Sequence, residues 1–321
     1  MYEIFTKKLL AAQKIAIFMH INPDADCIGS SLAMYKFLIN YGKQAEVFLE
    51  PGNMIRKNLF VYPNISIINQ SRPSKYDLGI CLDCATVDRM GNNSAKIFFD
   101  KCDERIWIDH HIYPYPIDDS IIETTSASTS QILYKIFMEI DGTLIDKEVA
   151  FCLFGALAAD TGVFSFSSTT AETMKIASEL ISFGIDNNFI VDKIYREKSI
   201  CEFNLMVEAL GKTQFFYNNK MAVISFFSSD FMKTGCDIYS TEGIINNLIE
   251  IDEVILAIAI AEEKENVYKV SIRSKDPLDC SAYARIFGGG GHKNASGCKF
   301  KLPYEKTLET LVKTACTFIK C

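Results

Sequence analysis

Histidine occurs four times in the 321 residues, and three of those four stand beside aspartates. His20 is followed by Asp24 and Asp26, and Asp109 directly precedes His110 and His111. Imidazoles and carboxylates grouped in this way suit divalent metals with mixed oxygen and nitrogen ligation. In His20-Ile21-Asn22-Pro23-Asp24-Ala25-Asp26, Pro23 restrains the loop, and the Asp-x-Asp spacing can send two carboxylates to different positions along a turn. The same two aspartates also suit the N-terminal turn of a helix. The two readings are compatible, because a metal site at a helix N-terminus also attracts phosphate. Asp83 ends an apolar run, where a buried carboxylate without a partner is costly and calls for a cation. With Asp160 added, five carboxylates cannot all ionise side by side without counter-charge. Two divalent cations about 4 Å apart supply that charge and would activate water toward a phosphorus centre. Cys81, Cys84 and Trp107, beside these residues, read as strand packing.

Elements must bring these residues together. Ile15 to His20 reads as a buried strand, followed by a loop and a helix from about 29 to 40 closed by Gly42. Asp77 to Asp83 and Arg105 to His111 are two more apolar runs, each ending in ligand-type residues. Alternating short apolar runs and helical patterns predict an α/β fold with a largely parallel sheet and helices on both faces. Ligands in such sheets sit beyond the carboxyl ends of the strands. Three strands with ligand-type residues at that edge point to one site. Helices are expected at 128–140, at 147–159 (delivering Asp160-Thr161-Gly162) and at 171–183.

Three segments are predicted: an N-terminal parallel-sheet domain at 1–186, a linker helix at 187–212, and a smaller mixed α/β substrate-binding domain at 213–321. In the last, strands are expected at 221–227, 254–261 and 267–273, and helices near 241–249, 278–286 and 305–319. A Gly-rich loop spans Gly288 to Gly291 and leads into His292 and Lys293. Four glycines alone suggest flexibility, but backbone N–H groups followed by two basic side chains make an anion-binding nest.

Composition sets limits. With 49% hydrophobic residues the chain can bury a sizeable core, and the net charge of −7 argues against coating a long nucleic acid. Eleven scattered cysteines, without a second pair at zinc-finger spacing, read as reduced thiols of a cytoplasmic protein. The first ten residues lack a signal-peptide pattern, and no apolar run is long enough to span a membrane. The oligomeric state is open between a monomer and a homodimer.

The set His20-x-x-Pro23-Asp24-x-Asp26-x-x-Gly29-Ser30, Asp83, Asp109-His110-His111 and Asp160-Thr161-Gly162 resembles the DHH phosphoesterase superfamily. Residues 287–297, FGGGGHKNASG, resemble the substrate-binding domain attached in one branch of it. The resemblance spans nearly the whole chain and is greatest to stand-alone oligoribonucleases of the nanoRNase type. It implies two Mn²⁺ ions, with His20, Asp24 and Asp83 holding one, and Asp26, Asp83, His110 and Asp160 the other. It further implies that His111 faces the scissile phosphate as an electrostatic or acid catalyst, and that Asp109, in the catalytic centre, either orients a ligating imidazole or is a weak ligand. Arg273, Ser274, Gly290, Gly291 and His292 would grip a nucleotide phosphate. The substrates implied are very short oligoribonucleotides such as pApA and pGpG, together with 3′-phosphoadenosine 5′-phosphate, and neither long nucleic acid nor membrane is an expected partner. The competing activities are a cyclic dinucleotide phosphodiesterase, an inorganic pyrophosphatase or polyphosphatase, a long-strand exonuclease and a non-catalytic nucleotide sensor. One departure from the family pattern is the apolar run Val163-Phe164-Ser165-Phe166 after Asp160-Thr161-Gly162, where a basic or polar residue is often found, so substrate preference can differ.

Overall fold

The structure, a computed structural model, describes residues 2–111, 117 and 119–319, and the side chain of His292 lies outside the described residues. The chain forms two compact units, Met1–Glu197 and Lys198–Cys321.

In the first unit β1 (Lys14–Phe18), β2 (Gln44–Phe48), β3 (Tyr76–Leu82), β4 (Cys102–Asp109) and β5 (Ser120–Ile122) build one sheet in the order β2-β1-β3-β4-β5. Every neighbouring pair is parallel. Successive side chains on a strand point to opposite faces, so a strand buried on both sides reads as a continuous apolar run. Ile15 and Ile17 of β1, with Ile106 and Ile108 of β4, pack into one core with the helices Ala25–Asn40, Thr129–Asp141 and Lys147–Asp160. Ala16, Phe18 and Trp107 face the other way, toward Phe98 of the helix Asn92–Lys101. Trp107 is fully buried, and its indole N–H donates to the Cys84 carbonyl at 2.6 Å. The expected parallel sheet with helices on both faces is the one observed.

Small residues set how closely the site-bearing helices approach. Gly29 in Ala25–Asn40 faces Lys147–Asp160, and a Cβ there would fall 2.7 Å from the Cys152 carbonyl oxygen and 2.9 Å from Ala156 Cβ. About two turns further along, Phe37 stacks on Phe137 of the helix Thr129–Asp141 with ring centroids 3.9 Å apart.

The second unit holds β6 (Gln214–Phe216), β7 (Met221–Phe226), β8 (Leu256–Lys264), β9 (Val267–Ser274), β10 (Gly290–His292) and β11 (Ala295–Phe300) in the order β10-β11-β9-β8-β7-β6. Only β7 and β8 pair in parallel among these strands, so the sheet is mixed, as expected. One face packs on the helices Cys280–Arg285 and Tyr304–Ile319, the other on Ile200–Gly211.

Two expectations change. The stretch 187–212, expected as one linker helix, is three pieces: Asn187–Val191, a π-type turn Asp192–Arg196, and Ile200–Gly211. Ser199 and Glu202 form a capping box that starts a new helix, overriding an amphipathic pattern that runs on through the break. The Gly-rich segment is not wholly a loop, since Gly290 to His292 form edge strand β10 against β11. The glycines are needed there for the hairpin itself: a Cβ at Gly289 would sit 2.1 Å from the Gly297 carbonyl oxygen. All ten described cysteines are free, and among the described residues no helix is long and apolar enough to cross a membrane.

Candidate metal centre

Strand order explains the convergence. β1, β3 and β4 are adjacent, and each runs out at the same edge: His20 lies just past β1, Asp83 just past β3, and Asp109 closes β4. Asp83 turns through a left-handed conformation (φ 54°), while its N–H donates to the Ile108 carbonyl at 3.1 Å and stays tied to β4. Two helix ends complete the group. Asp24 is the N-cap of Ala25–Asn40 and accepts the Cys27 N–H at 3.0 Å, so the capping reading of that loop also holds. Asp160 is the last residue of Lys147–Asp160.

The ligand-type atoms meet at short range. His20 Nε2 lies 3.7 Å from Asp83 Oδ2 and 3.9 Å from Asp24 Oδ2. His110 Nε2 lies 3.3 Å from Asp160 Oδ2, 3.6 Å from Asp83 Oδ1 and 4.0 Å from Asp26 Oδ2. The two oxygens of Asp83 thus face two different groups. Three sets of ligand atoms, each within 4.8 Å of one another, are His20-Cys27-Asp83, Asp26-His110-Asp160 and Asp83-Asp109-His110-His111.

Hydrogen bonds on the far side of each ring prepare the imidazoles. His20 Nδ1 is 2.8 Å from the Ile21 carbonyl, and His110 Nδ1 is 3.3 Å from the Ser126 carbonyl. A carbonyl only accepts, so these contacts place the proton on Nδ1 and turn the Nε2 lone pair toward the carboxylates. His111 differs. Its Nδ1 donates to Asp109 Oδ1 at 2.7 Å, and the same oxygen accepts the His110 and His111 N–H groups at 2.7 and 3.1 Å. Asp109 is fully buried, and its Oδ2 has no hydrogen-bond partner among the described residues. Asp109 is therefore placed to orient and charge His111.

The protonation states follow from this crowding. Burial and the neighbouring Asp26 and Asp24 push the Asp83 carboxyl well above the usual range, and burial with Asp26 does the same to Asp160. Burial and Asp24 raise Asp26 to about 6, although it accepts N–H bonds from Thr129 and Ser130 and a hydroxyl bond from Ser30. Asp109 shows the opposite balance: burial opposes its charge, but the His111 hydrogen bond and both imidazoles hold it below the usual range. Burial opposes the His111 charge too, yet Asp109 raises it above the usual histidine value. Clustered carboxylates that favour protonation lack cationic charge, and divalent ions would supply it.

Sequence reasoning missed several contributors. Thr129 N–H and Ser130 N–H, at the start of Thr129–Asp141, hold Asp26 at 2.7 and 3.2 Å, and the Thr129 hydroxyl donates to Asp83 at 3.1 Å. The signal was present as the N-cap pattern Ser128-Thr129-Ser130, but nothing local linked it to residues about a hundred positions earlier. Cys27, pushed well up by burial, and Arg89, 3.1 Å from His20 Nδ1, were also passed over.

The other candidates lie in the second unit. Arg273 is half-buried near the end of β9, where its guanidinium donates to the Ile272 carbonyl at 3.1 Å. Ser274 is buried and its hydroxyl donates to the Leu278 and Lys293 carbonyls at 2.9 and 3.2 Å, tying the 275–293 segment to the strand. Gly290 pairs with Gly297 and Gly291 with Ser296. The side chain of His292 lies outside the described residues.

Comparison with known proteins places this arrangement. Residues 14–157 match the DHH family N-terminal domain, and residues 219–320 match the DHHA1 domain. Over 304 residues the chain is 28% identical to the bifunctional oligoribonuclease and PAP phosphatase NrnA of Thermus thermophilus, spanning 92% of this chain and 89% of that one. The Bacillus subtilis protein of the same name is 23% identical over 288 residues, 88% of each chain. A crystal structure of an exopolyphosphatase-related protein from Bacteroides fragilis superimposes with a TM-score of 0.90 at 29% identity, covering 99% of this chain and 97% of that one. With a DHH N-terminal domain followed by a DHHA1 domain, and a carboxylate–imidazole cluster at the strand ends of the first, the chain belongs to the DHH family of phosphoesterases.

Proposed function

We propose that this protein is a cytoplasmic two-metal phosphoesterase that hydrolyses very short oligoribonucleotides, such as pApA and pGpG, to mononucleotides and 3′-phosphoadenosine 5′-phosphate to AMP. The observation that carries the reading is the split of Asp83, whose two oxygens face separate imidazole–carboxylate groups. The names of the Thermus and Bacillus relatives support the substrate class.

The donor set fits two divalent ions, with Mn²⁺ suited to mixed carboxylate and imidazole ligation. His20, Asp24 and Asp83 would hold one ion, and Asp26, Asp83, His110 and Asp160 the other. When bound, such ions polarise phosphoryl oxygens and lower the pKa of water. The side chains do the rest. Asp83 presents one oxygen to each position, the Ile21 and Ser126 carbonyls fix the ligating rings, and His111, kept protonated by Asp109, offers charge or a proton to the phosphoryl oxygens. Arg273, His292 and the Gly290–Gly291 backbone would hold the nucleotide, while Ser274 supports that segment.

The test is turnover of pApA, pGpG, 3′-phosphoadenosine 5′-phosphate, a cyclic dinucleotide, pyrophosphate, polyphosphate and a long single strand, with Mn²⁺ and with chelator. The expected result is metal-dependent preference for the short linear nucleotides. The likeness to an exopolyphosphatase-related protein favours a second reading on condensed phosphates, and fastest turnover of polyphosphate or pyrophosphate would establish that one instead.

A further inference from the structure

One guanidinium stands beside the acidic centre of the first unit without a role in building it. Arg89 lies in the short turn Val87–Met90, six residues after Asp83. Its carbonyl accepts the Ile21 N–H at 2.6 Å, and its own N–H donates to the Thr86 carbonyl at 3.1 Å. The backbone of Arg89 is thereby fixed to the loop that carries His20. The side chain is exposed, and one terminal nitrogen reaches to 3.1 Å from His20 Nδ1. Among the described residues no carboxylate pairs with it.

Hydrogen-bond chemistry limits what Arg89 can do for His20. A guanidinium only donates, and a neutral imidazole carries one proton. If Arg89 donated to Nδ1, the proton would sit on Nε2, and the ring could not ligate a cation. If Nδ1 donates to the Ile21 carbonyl, 2.8 Å away, Nε2 faces Asp24 and Asp83 as a ligand, and Arg89 has no acceptor there. Metal loading therefore leaves the guanidinium available. Five carboxylates, two divalent ions and a protonated His111 would sum to zero, so the centre holds no surplus positive charge for a second phosphate, which gains from a cation at the rim.

Position decides which phosphate that cation serves. Arg89 approaches the Nδ1 edge of the ring, whereas the ligand groups gather at Nε2, so the imidazole stands between the guanidinium and the acidic centre. We propose that Arg89 is a specificity-determining residue that holds a second phosphate of the substrate, one linkage away from the phosphoester being cleaved. The class selected is a nucleotide carrying two phosphates: a 5′-phosphorylated dinucleotide or a nucleoside 3′,5′-bisphosphate. Planar two-point donation to phosphate favours arginine over lysine for this task. The inference rests on the phosphoesterase reading above.

The experiment compares Arg89→Ala and Arg89→Lys with wild type in the full chain loaded with Mn²⁺. Two substrate pairs share the scissile group and differ by one phosphate: adenosine 3′,5′-bisphosphate against adenosine 3′-phosphate, and pApA against ApA. For Arg89→Ala, KM should rise about tenfold or more on the doubly phosphorylated member, as expected for loss of a charge-assisted pair. On the other member KM should change by less than about twofold, Arg89→Lys should recover part of the loss, and Mn²⁺ affinity by calorimetry should match wild type. The same loss should appear in the affinity of Ca²⁺-loaded protein for adenosine 3′,5′-bisphosphate. Equal losses on both members of a pair, a weakened Mn²⁺ affinity that accounts for the loss, or no change would each overturn the assignment. Wild type is assayed first: absence of turnover there counts against the phosphoesterase reading, whereas active wild type with an indifferent Arg89→Ala counts against Arg89 alone.

Discussion

The contact that Gly29 makes between the two site-bearing helices offers a test that leaves every ligand in place. Asp26 sits one turn before Gly29, and Asp160 sits one turn after Ala156, so the Gly29 contact is one turn away from both carboxylates. Replacing Gly29 with Ala puts a methyl 2.7 Å from the Cys152 oxygen and 2.9 Å from both Ala156 Cβ and the Tyr62 hydroxyl, where ordinary contacts begin at 3.4 Å. The shortfall of about 0.7 Å must be met by moving backbone, because the nearest atom is a helix carbonyl. Overpacking of this kind costs about 1–3 kcal/mol, which in a domain of this size lowers Tm by roughly 3–10 °C. Metal ligands tolerate displacements of only about 0.2 Å. Parting the helices by half an ångström should therefore weaken Mn²⁺ binding about tenfold or more, the range seen when supporting contacts of a metal site are lost. Thermal unfolding with and without Mn²⁺, circular dichroism and Mn²⁺ calorimetry read these effects separately. A folded Gly29→Ala variant with unchanged Tm and unchanged Mn²⁺ affinity would refute the claim that helix spacing sets the site.

Three further outcomes follow from the same geometry. Asp83→Asn removes a carboxylate whose charge burial and its acidic neighbours oppose, while Asn can keep the Thr129 hydrogen bond. The metal-free variant should melt at or above the wild-type temperature at pH 7.5 and lose both the Mn²⁺-induced rise in Tm and metal-dependent hydrolysis; a destabilised metal-free variant would contradict this. For pH, Asp26 titrates near 6 in the fold against about 3.9 in the unfolded chain, so the folded state binds more protons between those values. Its stabilising contribution is fully present below the unfolded value and is lost as pH rises through about 6, a swing of about 3 kcal/mol. Asp83 and Asp160 act in the same direction, so metal-free protein should gain Tm as pH falls from 7.5 to 5, and saturating Mn²⁺ should reverse that slope. Finally, Asp109→Asn removes the charge that raises His111, so kcat should fall about 10²–10⁴-fold, with Mn²⁺ affinity changed far less. Equal loss of Mn²⁺ affinity and kcat would make Asp109 a ligand.

Much of the site could be read from the chain because each ligand sits where a local pattern ends. His20, Asp83 and Asp109 follow apolar runs, and Asp160 closes a helix that begins at a legible cap, Asp146. What escaped depends on contacts distant in sequence or on backbone shape. Asp83 adopts φ 54°, a conformation that its residue type does not announce. Thr129 and Ser130 reach Asp26 across more than a hundred residues. The three-residue strands β5 and β6 carry too few alternating residues to stand out. The 187–212 stretch misled because apolar spacing continues through a break that only the Ser199–Glu202 cap reveals. Of the glycines before His292, Gly289 and Gly291 stand where hairpin closeness alone demands glycine, so their presence does not by itself report a ligand.

The tautomers set by the Ile21 and Ser126 carbonyls reach beyond catalysis. With Nδ1 engaged by those carbonyls, His20 and His110 hold Nε2 turned toward the carboxylates before any cation arrives. Asp26, Asp83 and Asp160 hold protons more tightly than ordinary carboxylates, and a cation must displace those. The centre therefore behaves as a small ion exchanger, taking in divalent charge and returning acid to the solution. Its heat of loading will scale with the ionisation enthalpy of the buffer, and its grip on metal will loosen in acid as those carboxylates take their protons back.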